Sequence, residues 1–214
     1  MTWTTAIEQI IIIMASFAIG VAGYIGMSKE VFKVKKKRVD WLFSMVIQLV
    51  IYIWIAKVIV LFKMVFKDPF AVLAYPSNAT ILYLALLFTA IHIAVHIKKK
   101  VLPVNEMIDV FVPVLLSTQF IYVCIQLFET GRTGFLINAG IVMVLLLVYI
   151  TVEKVHTFSG LVAIFIAWSL GQLVLSTVYA HKTIFGYMVS PLLYVVLMVG
   201  AGLLLWKIKV ERKF

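Results

Sequence analysis

Long apolar stretches alternate along this chain with short polar connections. Seven stretches, at about residues 6–27, 41–66, 79–97, 107–128, 135–152, 158–180 and 188–206, are almost continuously apolar. A helix that crosses a hydrocarbon core needs about 20 such residues, and it must satisfy its backbone polar groups within the segment. The pattern therefore predicts an all-α polytopic membrane protein: seven spans in one integral membrane domain covering residues 1–214. The connections carry helix-ending chemistry in Asp68-Pro69, Pro76-Ser77-Asn78, Leu102-Pro103 and the segment from Gly131 to Gly134. None is long enough to form a soluble domain. No internal repeat and no inverted pair of broken helices is visible. The first nine residues hold Glu8 and no Lys or Arg, unlike the basic start of a secretory signal, so the first apolar run is expected to stay.

Composition narrows the class further. With 64% apolar and 13% charged residues in 214, a soluble globule could not hide its hydrocarbon surface, and disorder is excluded by the same figures. The chain has 19 Lys and Arg against 9 Asp and Glu. In a soluble protein that excess would suggest nucleic acid, but these charges sit between apolar runs, and no nucleic-acid partner is expected.

Fourteen basic residues fall on one predicted side: Lys29, Lys33, Lys35, Lys36, Lys37, Arg38, Lys98, Lys99, Lys100, Lys154, Lys207, Lys209, Arg212 and Lys213. The other side has Lys67, Arg132 and Lys182, while Lys57 and Lys63 fall within the second span. Because basic residues are retained in the cytoplasm, this asymmetry predicts an N-out, C-in arrangement. The run from Lys33 to Arg38 is read first as an orientation signal and second as a site for anionic lipid. Cys124 is the single cysteine, which removes disulfide frameworks and cysteine-based zinc sites.

Polar residues inside apolar spans are costly and are the candidates for function. Lys57 is the deepest cation; it is read either as a counter-charge for a lipid phosphate or acidic side chain, or as a stem that snorkels to the interface. Lys63 is read as snorkelling. His92 and His96 share a helix face, the spacing of a two-histidine metal site, but without a third ligand the favoured reading is a hydrogen-bonded interhelical histidine. Asp109 is expected in the first turn of the fourth span, as a cap or tether for the preceding loop. Gln119 and Gln126 share a face, with Glu129 following; they line a polar cavity or act as interhelical glue, as does Gln172. Tyr75, Tyr187 and Trp206 read as an interfacial aromatic belt. No catalytic constellation, metal site, cofactor site or phosphate-cradling loop is recognisable by spacing.

The order of these features resembles that of the bacterial phosphatidylglycerol:prolipoprotein diacylglyceryl transferases over nearly the whole chain. The resemblance rests on the basic run before Leu102-Pro103, on Asp109 with Pro113, on Gln119, and on Gly131-Arg132-Thr133-Gly134. It continues in Trp168-Ser169-Leu170-Gly171-Gln172 and Met188-Val189-Ser190-Pro191-Leu192-Leu193, and upstream in Ala56-Lys57, Asp68-Pro69 and Ala74-Tyr75. It implies a seven-helix, N-out, C-in scaffold with a laterally open lipid cavity. In that family a diacylglyceryl group moves from phosphatidylglycerol to a lipoprotein cysteine, which requires a base and cations that hold the phosphate.

Matched position by position, the family's third-span histidine falls on Tyr83, its fourth-span arginine on Val123 and the following asparagine on Gln126. The acidic residue of its signature loop falls on Gly131, and its sixth-span arginine on Gln172. An amide cannot replace a charged, bidentate fork. The expectation is a non-catalytic, lipid-binding or accessory protein on this scaffold, in the bacterial cytoplasmic membrane. Its expected partners are membrane phospholipid, phosphatidylglycerol being the candidate, or another membrane protein. Lys57, Tyr83, His92, Gln119, Gln126, Glu129, Arg132 and Gln172 are the expected lipid- or cavity-lining residues. Two alternatives stand beside it: an active divergent transferase using Lys57, His92, Glu129 or Arg132, and a small-solute transporter or channel component.

Overall fold

A computed structural model describes residues 3–28, 30–66, 68, 78–99, 104–178, 183–185 and 187–211. Lys29, Lys67, Pro69, Ala74, Tyr75, Pro76, Ser77, Lys100, Leu102, Pro103, Lys182, Arg212 and Lys213, cited above for connections, orientation, interface or resemblance, lie outside the described residues. The helices are α1 (Trp3–Met27), α2 (Phe32–Val60), the single turn α3 (Phe62–Val65), α4 (Ala79–Lys98), α5 (Val104–Thr130), α6 (Thr133–Thr151), α7 (Phe158–Val178) and α8 (Pro191–Glu211). A 3₁₀ turn, Glu153–His156, precedes α7. Between α7 and α8 lies a small antiparallel hairpin of β1 (Thr183–Ile184) and β2 (Tyr187–Met188).

Six of these helices are long and apolar enough to cross a membrane, so the chain is a helical, multi-pass membrane protein. They are α1, α2 and α4–α7. The last apolar run lies in α8, whose described apolar stretch, Pro191–Trp206, is shorter.

Three boundaries depart from the hydrophobic pattern. Lys and Arg are good helix formers, so α2 starts at Phe32 and carries the whole Lys33–Arg38 run on helix, ahead of the apolar stretch. The stretch 41–66 is then interrupted at Leu61, which leaves helical geometry (φ −102°, ψ 25°) before α3. Similarly, α5 starts at Val104, so Glu106 occupies the first turn and Asp109 the second. The first-turn carboxylate favoured by the helix dipole is therefore Glu106, a correction to the expectation for Asp109.

Two caps are readable directly. Asn78 Oδ1 accepts the Ile81 N–H at 3.0 Å at the start of α4. Thr157 Oγ1 accepts the Gly160 N–H at 3.2 Å at the start of α7.

Contacts divide the chain into two units, Met1–Lys35 with Ile108–Phe214, and Lys36–Met107. In the first, the interior is built on α5 and α7, whose apolar windows are 56% and 44% buried. One apolar layer joins Val112 and Leu116 of α5, Val142 and Tyr149 of α6, and Leu161, Ile164 and Trp168 of α7. A second joins Tyr122, Val123, Phe135 and Ala139, with Phe185 of the hairpin packed against it. The Phe185 ring meets Tyr122 edge-on at 5.2 Å, from a backbone held at φ +46°.

Helix α1 approaches α5 closely where Gly20 faces Thr118. A Cβ at Gly20 would stand 2.9 Å from the Thr118 backbone nitrogen, which only glycine avoids.

The second unit packs Ala56 of α2 against Ile81 and Ala85 of α4, all fully buried, with Leu49, Tyr52, Ile53 and Leu84 around them.

Candidate functional site: a buried amide network and a lateral groove

Polar side chains in a hydrocarbon-facing bundle must find partners within the protein, and in the first unit three carboxamides find each other. Gln119 lies on α5 between Leu116 and Tyr122, Asn138 on α6 between Phe135 and Val142, and Gln172 on α7 one turn beyond Trp168. Each thus falls between, or just beyond, residues of the two apolar layers. Gln172 Nε2 donates to Asn138 Oδ1 at 2.8 Å, and Gln119 Nε2 donates to the same oxygen at 3.3 Å. One carbonyl oxygen has two lone pairs and serves both. The Trp168 Nε1–H donates to Gln119 Oε1 and closes the chain.

All four residues are at most 4% exposed. Gly171 permits the approach of α7 to α6 beside this network: a Cβ there would stand 3.0 Å from the Ile141 Cγ2. Interhelical hydrogen bonds of this kind contribute about 0.6–2 kcal/mol each in a membrane protein. The network offers neutral donors and acceptors; it has no nucleophile, and no charge with which to hold an anion.

Gln126 shares the face of Gln119 but not its partners. It is 7% exposed, its Nε2 donates to Glu129 Oε2 at 3.0 Å within the same helix, and its backbone carbonyl accepts the Thr130 hydroxyl at 2.7 Å. Glu129 and Arg132 are exposed at the α5–α6 connection.

In the second unit, Lys57 and Tyr83 are half-buried, Lys57 directly after the buried Ala56. His92 is also half-buried, and its Nδ1 lies 2.8 Å from the Tyr52 hydroxyl of α2. It stacks on His96, ring centroids 4.1 Å apart and planes 18° from parallel. These rings border a groove of about 400 Å³, formed by Tyr52 and Ile55 of α2 and by the face of α4 from Phe88 to His96.

The structure thus joins Gln119 to Gln172 and Gln126 to Glu129, and it places Lys57, Tyr83 and His92 in the other unit. Reading the sequence missed Asn138, which links the two glutamines, and Tyr52, which holds His92. Both carried a usable signal: a lone carboxamide in an otherwise apolar span, and a tyrosine set back from the ends of its helix. Among the described residues, no group of three or more His, Cys, Asp or Glu could hold a metal ion. Set against protein-family models, curated proteins and solved structures, the chain matches none.

Proposed function

We propose that the chain is a seven-span protein of the bacterial cytoplasmic membrane, N-terminus outside and C-terminus inside. Its scaffold would be like that of the phosphatidylglycerol:prolipoprotein diacylglyceryl transferases, and it would bind membrane phospholipid or assist another membrane protein without transferring a diacylglyceryl group. The charge asymmetry of the connections supports the orientation. One observation carries the functional reading: the Gln172 amide is spent on Asn138, inside a neutral network buried between three helices. The resemblance sets an arginine at that position. A phosphate grip there would need a charged fork, and extracting the phosphate of a lipid from water without one is unfavourable.

The test is reconstitution in vesicles of phosphatidylglycerol with a lipobox peptide. No glycerol phosphate should be released above protein-free vesicles, and native mass spectrometry of gently extracted protein should show a bound phospholipid or a stoichiometric membrane partner. Release that disappears in Lys57→Ala or Glu129→Ala would establish the divergent transferase instead. Solute flux found only in protein-containing vesicles would establish the transporter.

A further inference from the structure

The basic run that opens α2 lies on helix, continuous with the apolar stretch that follows it. At 1.5 Å per residue the 29 residues of α2 extend about 43 Å, about 13 Å more than a hydrocarbon core of about 30 Å. The charged end is costly to place in hydrocarbon, so the excess carries Lys33 to Arg38 through the headgroup layer. No acidic residue stands in the first turn of α2, where the positive end of the helix dipole adds to the field of the lysines. Cations at that end of a helix are unfavourable unless an anion lies close by.

The lysines of the run meet different surroundings. Lys35 is half-buried, and its Nζ donates to the Ile25 carbonyl oxygen at 2.7 Å, so its charge is spent on the last turns of α1. Lys36 and Lys37 are exposed, and neither makes an ion pair or hydrogen bond among the described residues. Lys37 Nζ lies 4.8 Å from the centre of the Trp41 ring. A tryptophan at the end of an apolar stretch marks the headgroup level, and this contact holds the ammonium there. At about 100° per residue, Lys36, Lys37 and Asp40 fall on one face, which continues through Ser44 to Ile47 and Ile51. All six are exposed, the two isoleucines by 58% and 50%. One surface therefore offers two free ammonium groups at the level of lipid phosphates and, about 15–20 Å further along, aliphatic side chains facing the membrane.

We propose that this face of α2 binds an anionic phospholipid of the bilayer, its phosphate held by Lys36 and Lys37 and one acyl chain laid over Ile47 and Ile51. Phosphate oxygens accept from both ammonium groups, and each lysine beside acidic lipid raises association by a factor of about five. A zwitterionic lipid has the same phosphate, but its own cationic group competes for it and is repelled by the lysines. Asp40 stands on the same face, three residues from Lys37 and four from Lys36, and works against a phosphate there. A soluble acidic partner would meet the lysines but not the isoleucines, which lie in the membrane-crossing part of α2. The proposal rests on the phospholipid-binding reading above and deepens it, adding the charge of the lipid and its place; it uses neither the amide network nor the transferase resemblance.

The experiment places the full chain in phosphatidylcholine vesicles and measures, by electron spin resonance, its association with spin-labelled phosphatidic acid and with spin-labelled phosphatidylcholine. At low salt phosphatidic acid should be preferred about fivefold or more, falling toward about twofold in about 0.5 M salt as exposed charges are screened. Lys36→Gln with Lys37→Gln should cut the preference about threefold or more. Asp40→Asn should raise it about twofold, a gain that a misfolded variant does not give. Lys98→Gln with Lys99→Gln removes the same charge from the end of α4 and should leave the preference within about 1.5-fold. Three results would each overturn the proposal: no preference for phosphatidic acid, an unchanged preference in the Lys36 and Lys37 double variant with no gain in Asp40→Asn, or an equal loss in the Lys98 and Lys99 double variant. Any of them, found while native mass spectrometry still shows a retained zwitterionic phospholipid, overturns this proposal and leaves the phospholipid-binding reading standing.

Discussion

Asn138 shows how much can hang on a single carbonyl oxygen. Removing it in Asn138→Ala leaves two buried amide donors, on Gln119 and Gln172, without an acceptor. A stranded buried polar group costs about 1–3 kcal/mol, so the variant should unfold earlier in a denaturing-detergent titration by about that amount. Adding Gln172→Leu to Asn138→Ala should cost less than the sum of the two single changes, because the second removes a donor that the first had stranded. Gly20 and Gly26 make a matched pair on α1. A methyl at Gly20 meets the Thr118 backbone, which cannot yield cheaply, whereas a methyl at Gly26 meets nothing within 4 Å. Gly20→Ala is expected to destabilise by about 1–3 kcal/mol, as overpacking does. Gly26→Ala should be neutral or stabilising by up to about 1 kcal/mol through helix propensity. Thermal unfolding of the two variants in one detergent gives the comparison.

Among the elements, helix ends were less legible than helix interiors. Hydropathy detects the part of a helix that suits hydrocarbon and is blind to a charged turn that continues the same hydrogen-bond ladder. That is why α2 reaches back to Phe32 through its lysines, and why Glu106 rather than Asp109 sits in the first turn of α5. Caps are local and were in principle readable: Thr157 ahead of α7 is the residue type that accepts from a third-position N–H. Thr157→Ala should cost about 0.5–2 kcal/mol and Thr157→Ser close to nothing, measured by the same unfolding titration. The hairpin between α7 and α8 had no counterpart in the sequence pattern, because two-residue strands are too short to display a period of two.

At the scale of the whole molecule, orientation is the property most directly open to test. With most basic residues on the sides assigned to the cytoplasm, a green fluorescent reporter fused to the C-terminus should fluoresce, and a phosphatase that works only outside should be inactive there. Replacing Lys33, Lys35, Lys36, Lys37 and Arg38 together with Gln should give a mixed population in both assays, since the largest single orientation signal is then gone. What the order of residues determined alone was the membrane-crossing, helical character of the chain. An apolar run of sufficient length cannot leave its backbone groups unpaired in hydrocarbon and therefore coils on itself, whatever surrounds it. What required the tertiary structure was the pairing of the polar groups. Gln119 could have faced a wet cavity or another helix, and only the rotation of α5 against α6 and α7 brings it to Asn138 in company with Gln172. His92 likewise meets Tyr52, forty residues away, because α2 and α4 pack side by side; spacing along one helix carries no record of what stands opposite.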